Sequence, residues 1–222
     1  MKTIGLLGEM SWESTVTYYQ LINQRVKEKL GGLHSAKIIL CSIDFSEIEL
    51  LQRQGKWDGA GLYLANAAQK VEAGGADFLV ICTNTMHKVA DQIQDRISIP
   101  IINIIDATAD KILKSNITKV GLLGTRFTME EDFYKARLLK NNIQTIIPTL
   151  SQRDAVHRII YDELCLGIIN PDSKKIYLDI IQDLYQQGAE GIVLGCTEIP
   201  LLIQQKDTHV PLYDILVYMR NM

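Results

Sequence analysis

Two stretches of this chain occur twice, in the same order. KTIGLLG, Lys2 to Gly8, returns as TKVGLLG, Thr118 to Gly124, and GADFLVICTNT, Gly75 to Thr85, is answered by GAEGIVLGCTE, Gly188 to Glu198. The matched residues Gly5 and Gly121 are 116 positions apart, and Cys82 and Cys196 are 114 apart, so one intervening loop differs slightly in length. A duplicated half explains both matches. Around them, the short apolar runs TIGLLG, KIILCSI, DFLVIC, IPIINI, KVGLLG, TIIPTL, GIVLGC and VPLYDI alternate with longer helix-like segments such as STVTYYQLINQRVKEKLG. Alternation of this kind produces βα units and a parallel sheet covered on both faces. The expected fold class is therefore α/β, with one mostly parallel sheet flanked by helices in each half. Ser11, ahead of STVTYYQ, reads as a helix start.

Composition narrows the function classes. With 222 residues, 47% hydrophobic and 22% charged, the chain matches ordinary globular usage and has enough length for a substantial core in one domain or two. A formal net charge of -3, with no basic stretch interleaved with aromatics, gives no footprint for phosphate backbones, so nucleic acid is not an expected partner. The longest apolar runs fall far short of the ~20 residues needed to span a bilayer, and MKTIGLLGEMSW has no signal-peptide core. No membrane association and a cytosolic location are expected. Cys41, Cys82, Cys165 and Cys196 show no C-x-x-C or clustered Cys/His spacing, so free thiols and no metal site are expected. GLLGEMS has neither G-x-G-x-x-G nor a Walker lysine, which argues against a nucleotide cofactor there.

Each copy of the second repeat ends an apolar strand on Cys-Thr. A cysteine at the end of a buried strand is usually a small hydrophobe. Two of them at matched positions, each followed by polar residues, point instead to ligand chemistry, because open α/β sheets bind ligands beyond the carboxyl ends of their strands. Thiols approaching a carbon acid from opposite sides suit stereoinversion: a thiolate takes the proton from one face and a thiol returns one to the other. Near-attack distances of ~3–3.5 Å to one carbon would hold the sulfurs roughly 6–7 Å apart, too far for a disulfide. A thiol with an ordinary pKa near ~8.5 needs activation, and a helix N-terminus after each strand is the expected source. Thr83, Asn84 and Thr85, with Thr197 and Glu198, offer hydroxyl, amide and backbone donors for a substrate carboxylate; helix capping is the alternative for each. His87 reads as a polar residue of the following helix, Cys41 and Cys165 as packing residues, and Trp12 and Trp57 as core or pocket-wall aromatics.

GEMSWEST from Gly8, CTNTMHKVA from Cys82, LLGTRFTMEE from Leu122, DELCLG from Asp162 and GCTEI from Gly195 together resemble the aspartate/glutamate racemase family of cofactor-independent amino-acid racemases, and within it the broad-specificity bacterial branch. The resemblance implies two pseudo-symmetric α/β half-domains, residues 1–98 and 99–207, with the active site between them and a C-terminal segment, 208–222, returning to the first half. It implies racemisation of aspartate, glutamate or a related amino acid without pyridoxal phosphate, and a homodimer. Cys82 and Cys196 are then the acid/base pair, with Met10, Gln52, Thr83, Asn84, Thr85, Thr125, Thr197 and Glu198 contributing to the substrate site. Two departures bear on efficiency and packing: Glu9 stands where these proteins commonly carry a second glycine, and the family usually continues beyond LYDILVYMRNM through a longer helix. Alternative readings are a catalytically degenerate amino-acid binder, and a hydantoin racemase or decarboxylase of the same superfamily; a decarboxylase needs one protonating cysteine where this chain has two. A thiol-disulfide redox protein is a further alternative, and the missing C-x-x-C argues against it.

Overall fold

A computed structural model describes residues 1–8 and 12–214. The chain divides into two compact units, one running from Met1 to Ile104 and the other beginning at Ile105. In the first, β1 (Thr3–Gly8), α1 (Trp12–Leu30), β2 (Lys37–Ser42), α2 (Phe45–Arg53), α3 (Trp57–Ala73), β3 (Phe78–Ile81), α4 (Ala90–Gln94) and β4 (Ile101–Ile102) follow one another. The second contains most of α5 (Ile104–Lys114), then β5 (Lys119–Gly124), α6 (Arg126–Glu130), α7 (Asp132–Leu139), β6 (Gln144–Ile146), α8 (Leu150–Asp162), α9 (Pro171–Gln186), β7 (Gly191–Gly195), α10 (Ile199–Leu202) and β8 (Leu212–Asp214).

Each unit carries one four-stranded, wholly parallel sheet, in the order β2-β1-β3-β4 and β6-β5-β7-β8. The order is the same in both, as a duplicated half requires. Strand pairing bears on the two boundaries implied by the family resemblance. β4 pairs with β3, Leu79 opposite Ile101, which carries the first unit past residue 98 to Ile104. β8 pairs with β7, Ile192 opposite Leu212, and the Pro211 carbonyl accepts the Ile192 N–H at 2.8 Å. Within 208–222, residues 212–214 therefore belong to the second sheet, and 215–222 lie outside the described residues.

Why these residues build central strands is visible at the matched glycines. A Cβ on Gly5 would lie 2.5 Å from Val71 Cγ1 and 2.9 Å from the Phe78 carbonyl oxygen; one on Gly121 would lie 2.6 Å from Ile192 Cδ1. Only glycine lets the neighbouring strand and the covering helix approach so closely. Gly75 and Gly188, at φ +92 and +94, turn the chain out of α3 and α9 in a conformation that L side chains rarely adopt. A carboxylate then fastens the start of each central strand: Asp77 Oδ2 accepts the Thr3 N–H at 2.6 Å, and Glu190 Oε2 accepts those of Thr118 and Lys119 at 2.9 Å. Leu7, Leu64, Ala68, Val71, Leu79, Ile81 and Ile93 belong to one buried cluster, while Leu123, Val156, Ile160, Tyr177, Ile181, Leu184, Ile192 and Leu194 belong to another. Among the described residues no helix is long and apolar enough to cross a membrane.

Candidate active site

Sheet register fixes what emerges at the carboxyl ends of the central strands. Leu7 stands opposite Ile81, and the Cys82 N–H donates to the Leu7 carbonyl at 2.9 Å, so Cys82 leaves the sheet pinned beside β1. Its side chain is 0% exposed, and Thr83, Asn84 and Thr85 are buried with it. A 3-10 turn, Thr85–Val89, follows. Asn84 stands at the head of this turn, yet its side chain makes no capping hydrogen bond. Both of its amide atoms, and the Thr83 hydroxyl, are buried without a hydrogen-bond partner among the described residues. Each such atom costs about 1–3 kcal/mol of desolvation, so these three polar atoms fit a ligand rather than a structural cap.

Two side chains brace this turn. The Ile104 N–H donates to His87 Nε2 at 3.4 Å, which leaves the proton on Nδ1 to be donated to the Thr83 carbonyl at 2.8 Å. His87 thus ties the Cys-Thr turn to the start of α5. Gln52, from α2, is buried and donates to Met86 Sδ at 3.8 Å, so the structure brings it against the segment that follows Cys82. Trp57 packs under Lys88, whose Nζ lies 3.8 Å from the ring centroid, while Trp12 is exposed. Met10 and Glu9 lie outside the described residues.

In the second unit Gly124 pairs with Gly195, so Thr125 and Cys196 leave adjacent strands side by side. Thr125 caps α6, its hydroxyl accepting the Thr128 N–H at 3.3 Å. Cys196 is 3% exposed and its Sγ donates to Glu198 Oε2 at 2.9 Å; Thr197 Oγ1 donates to the same oxygen at 2.9 Å. Glu198 precedes α10 without a side-chain capping bond. Burial first, and the Glu198 carboxylate second, push the Cys196 thiol well above its ordinary value. At Cys196 the Glu198 backbone N–H, at the head of the four-residue α10, does favour the thiolate as expected, but burial and the Glu198 carboxylate outweigh it and the sulfur is held as a thiol. Cys82 and Cys196 belong to different units, and the matched turns give each unit one buried cysteine.

One neighbour carried no sequence signal. His157, inside α8, accepts the Arg126 N–H on Nδ1 at 3.2 Å beside Thr125 and packs on Tyr161 at 4.7 Å. Burial, reinforced by Arg126, lowers its pKa. Arg126 is held in turn by Asp154 at 2.8 Å. Cys165 packs, as expected, against the core cluster that contains Cys196. Cys41 likewise packs against the buried cluster of the first unit.

The Asp/Glu/hydantoin racemase family model matches residues 7–217. A candidate Asp/Glu racemase from Yersinia pestis superposes with a TM-score of 0.91 at 53% identity, over 99% of this chain and 96% of its own. An aspartate racemase homologue from Pyrococcus horikoshii superposes at 0.84 with 35% identity, over 100% of this chain and 96% of its own. The broad specificity amino-acid racemase RacX of Bacillus subtilis is 27% identical over 154 residues, which are 68% of this chain and 65% of RacX. The chain belongs to the Asp/Glu/hydantoin racemase family, a family of isomerases.

Proposed function

We propose that the protein racemises a free amino acid, aspartate, glutamate or a related one, by proton transfer at the α-carbon between Cys82 and Cys196, with no cofactor. The observation that carries the reading is the duplicated Cys-Thr turn: one buried cysteine in each unit, at the end of a central strand, with unpartnered polar atoms of Thr83 and Asn84 beside the first. In the forward step the Cys82 thiolate takes the α-proton; the C–H pair passes onto the α-carbon and into the substrate carboxylate. The Cys196 S–H then protonates the opposite face and keeps its bonding pair as thiolate. The reverse enantiomer uses the same groups with their protonation exchanged. Thr83, Asn84 and Thr85, with Gln52, Met10, Thr125, Thr197 and Glu198, form the substrate-binding set, and the amide and hydroxyl of Asn84 and Thr83 suit the carboxylate that gains charge as the proton leaves.

The test is incubation of L- and D-aspartate, glutamate and a set of neutral amino acids in deuterated water without added cofactor. The expected result is deuterium at the α-carbon and decay of optical activity for at least one amino acid. Binding of an amino acid with no α-deuteration of any substrate would leave a binding protein and overturn the proposal.

A further inference from the structure

The duplication breaks at one chemically decisive position. Two residues after the first cysteine stands Asn84, and two residues after the second stands Glu198, at the same 114-residue spacing as the cysteines. A neutral amide in one turn is thus matched by a carboxylate in the other. We propose that Glu198 is a positioning residue that holds Cys196 protonated, so that Cys196 is the resting acid of the pair. This rests on the two-cysteine racemase reading.

Geometry carries the assignment. Glu198 is 1% exposed, and its Oε2 accepts both the Cys196 S–H and the Thr197 O–H at 2.9 Å. A thiol that donates to a buried carboxylate cannot ionise without creating two adjacent negative charges out of water, where their repulsion is poorly screened. A second thiol pushes the same way. Cys165, in the 3-10 turn Leu164–Leu166, disfavours the thiolate, and Tyr177 on α9 and Glu163 before that turn belong to the same electrostatic cluster. Among the described residues, the Glu198 backbone N–H works in the opposite sense. The position matched to Glu198 brings no carboxylate to the Cys82 turn. The duplicated turns therefore differ in what each thiol donates to: Cys82 Sγ to the Val80 carbonyl at 3.9 Å, Cys196 Sγ to the Glu198 carboxylate at 2.9 Å.

Alkylation tests this directly. The rate of iodoacetamide labelling of Cys196 is followed against pH by mass spectrometry of the peptide that contains it, in the full-length protein and in Glu198→Gln and Glu198→Asp. Glu198→Gln keeps the shape and removes the charge. Its labelling midpoint should fall by at least about one pH unit, equivalent to about tenfold faster labelling at a fixed pH below both midpoints. Glu198→Asp keeps the charge and should retain a raised midpoint. An unchanged midpoint in Glu198→Gln, or equal falls in both variants, would overturn the assignment, since equal falls report packing rather than charge. Labelling does not require turnover, so this result is separable from failure of the racemase reading, which the α-deuteration experiment decides.

Discussion

Cys196 ties the chemistry of the site to the stability of the fold. In the unfolded chain its thiol ionises near 9.0, whereas burial and Glu198 keep it protonated well above that in the folded state. Below pH 9.0 both states hold the proton and this group adds no pH dependence. Above it the unfolded chain has released a proton that the folded chain retains, so unfolding becomes easier by about 1.4 kcal/mol per pH unit from this one group. Cys196→Ser, which does not titrate in this range, should flatten the decline between pH 9 and 10 by about 1 kcal/mol in urea denaturation, since the unfolded thiol is only half ionised at pH 9. An identical slope in the variant would show that the thiol is not held neutral by the fold. The residues around both cysteines were legible because they follow recognisable apolar strands directly. Gln52 rested on the family resemblance alone, and His157 gave no signal, because each reaches its place through tertiary packing of a helix whose pattern is ordinary.

At the scale of elements, the repeat records backbone approach as much as chemistry. Gly5→Ala would set a methyl against Val71 and against the Phe78 carbonyl, and should cost about 1–3 kcal/mol by overpacking. Gly75→Ala meets no atom within 4 Å, so its cost, about 1–2 kcal/mol, comes from φ +92 alone. The two are separable by a double-mutant cycle: adding Val71→Ala should relieve part of the Gly5→Ala penalty and leave that of Gly75→Ala untouched. Full additivity at Gly5 would mean that the close approach to α3 is not what requires glycine there. Eight strands were readable as eight apolar runs, since parallel strands covered on both faces are apolar almost throughout. Their ends were less readable. β4 is two residues long and β8 three, and only their pairing with β3 and β7 identifies the sheet to which each belongs.

For the whole molecule, duplication accounts for the Cys-Thr turn occurring twice, and under the proposed mechanism the Asn84/Glu198 difference distinguishes the two copies. Inversion at carbon needs a proton acceptor on one face and a donor on the other, so neither unit suffices alone under the proposed mechanism. The most direct test is α-proton exchange by Cys82→Ala and Cys196→Ala, each incubated separately with the L and the D enantiomer of a substrate in deuterated water. Both variants should lose racemisation. Each should still exchange the α-proton of one enantiomer, the two should choose opposite enantiomers, and Cys82→Ala, left with the carboxylate-bound thiol, should need the higher pH. Full racemisation by either variant, or exchange of the same enantiomer by both, would contradict the two-cysteine account.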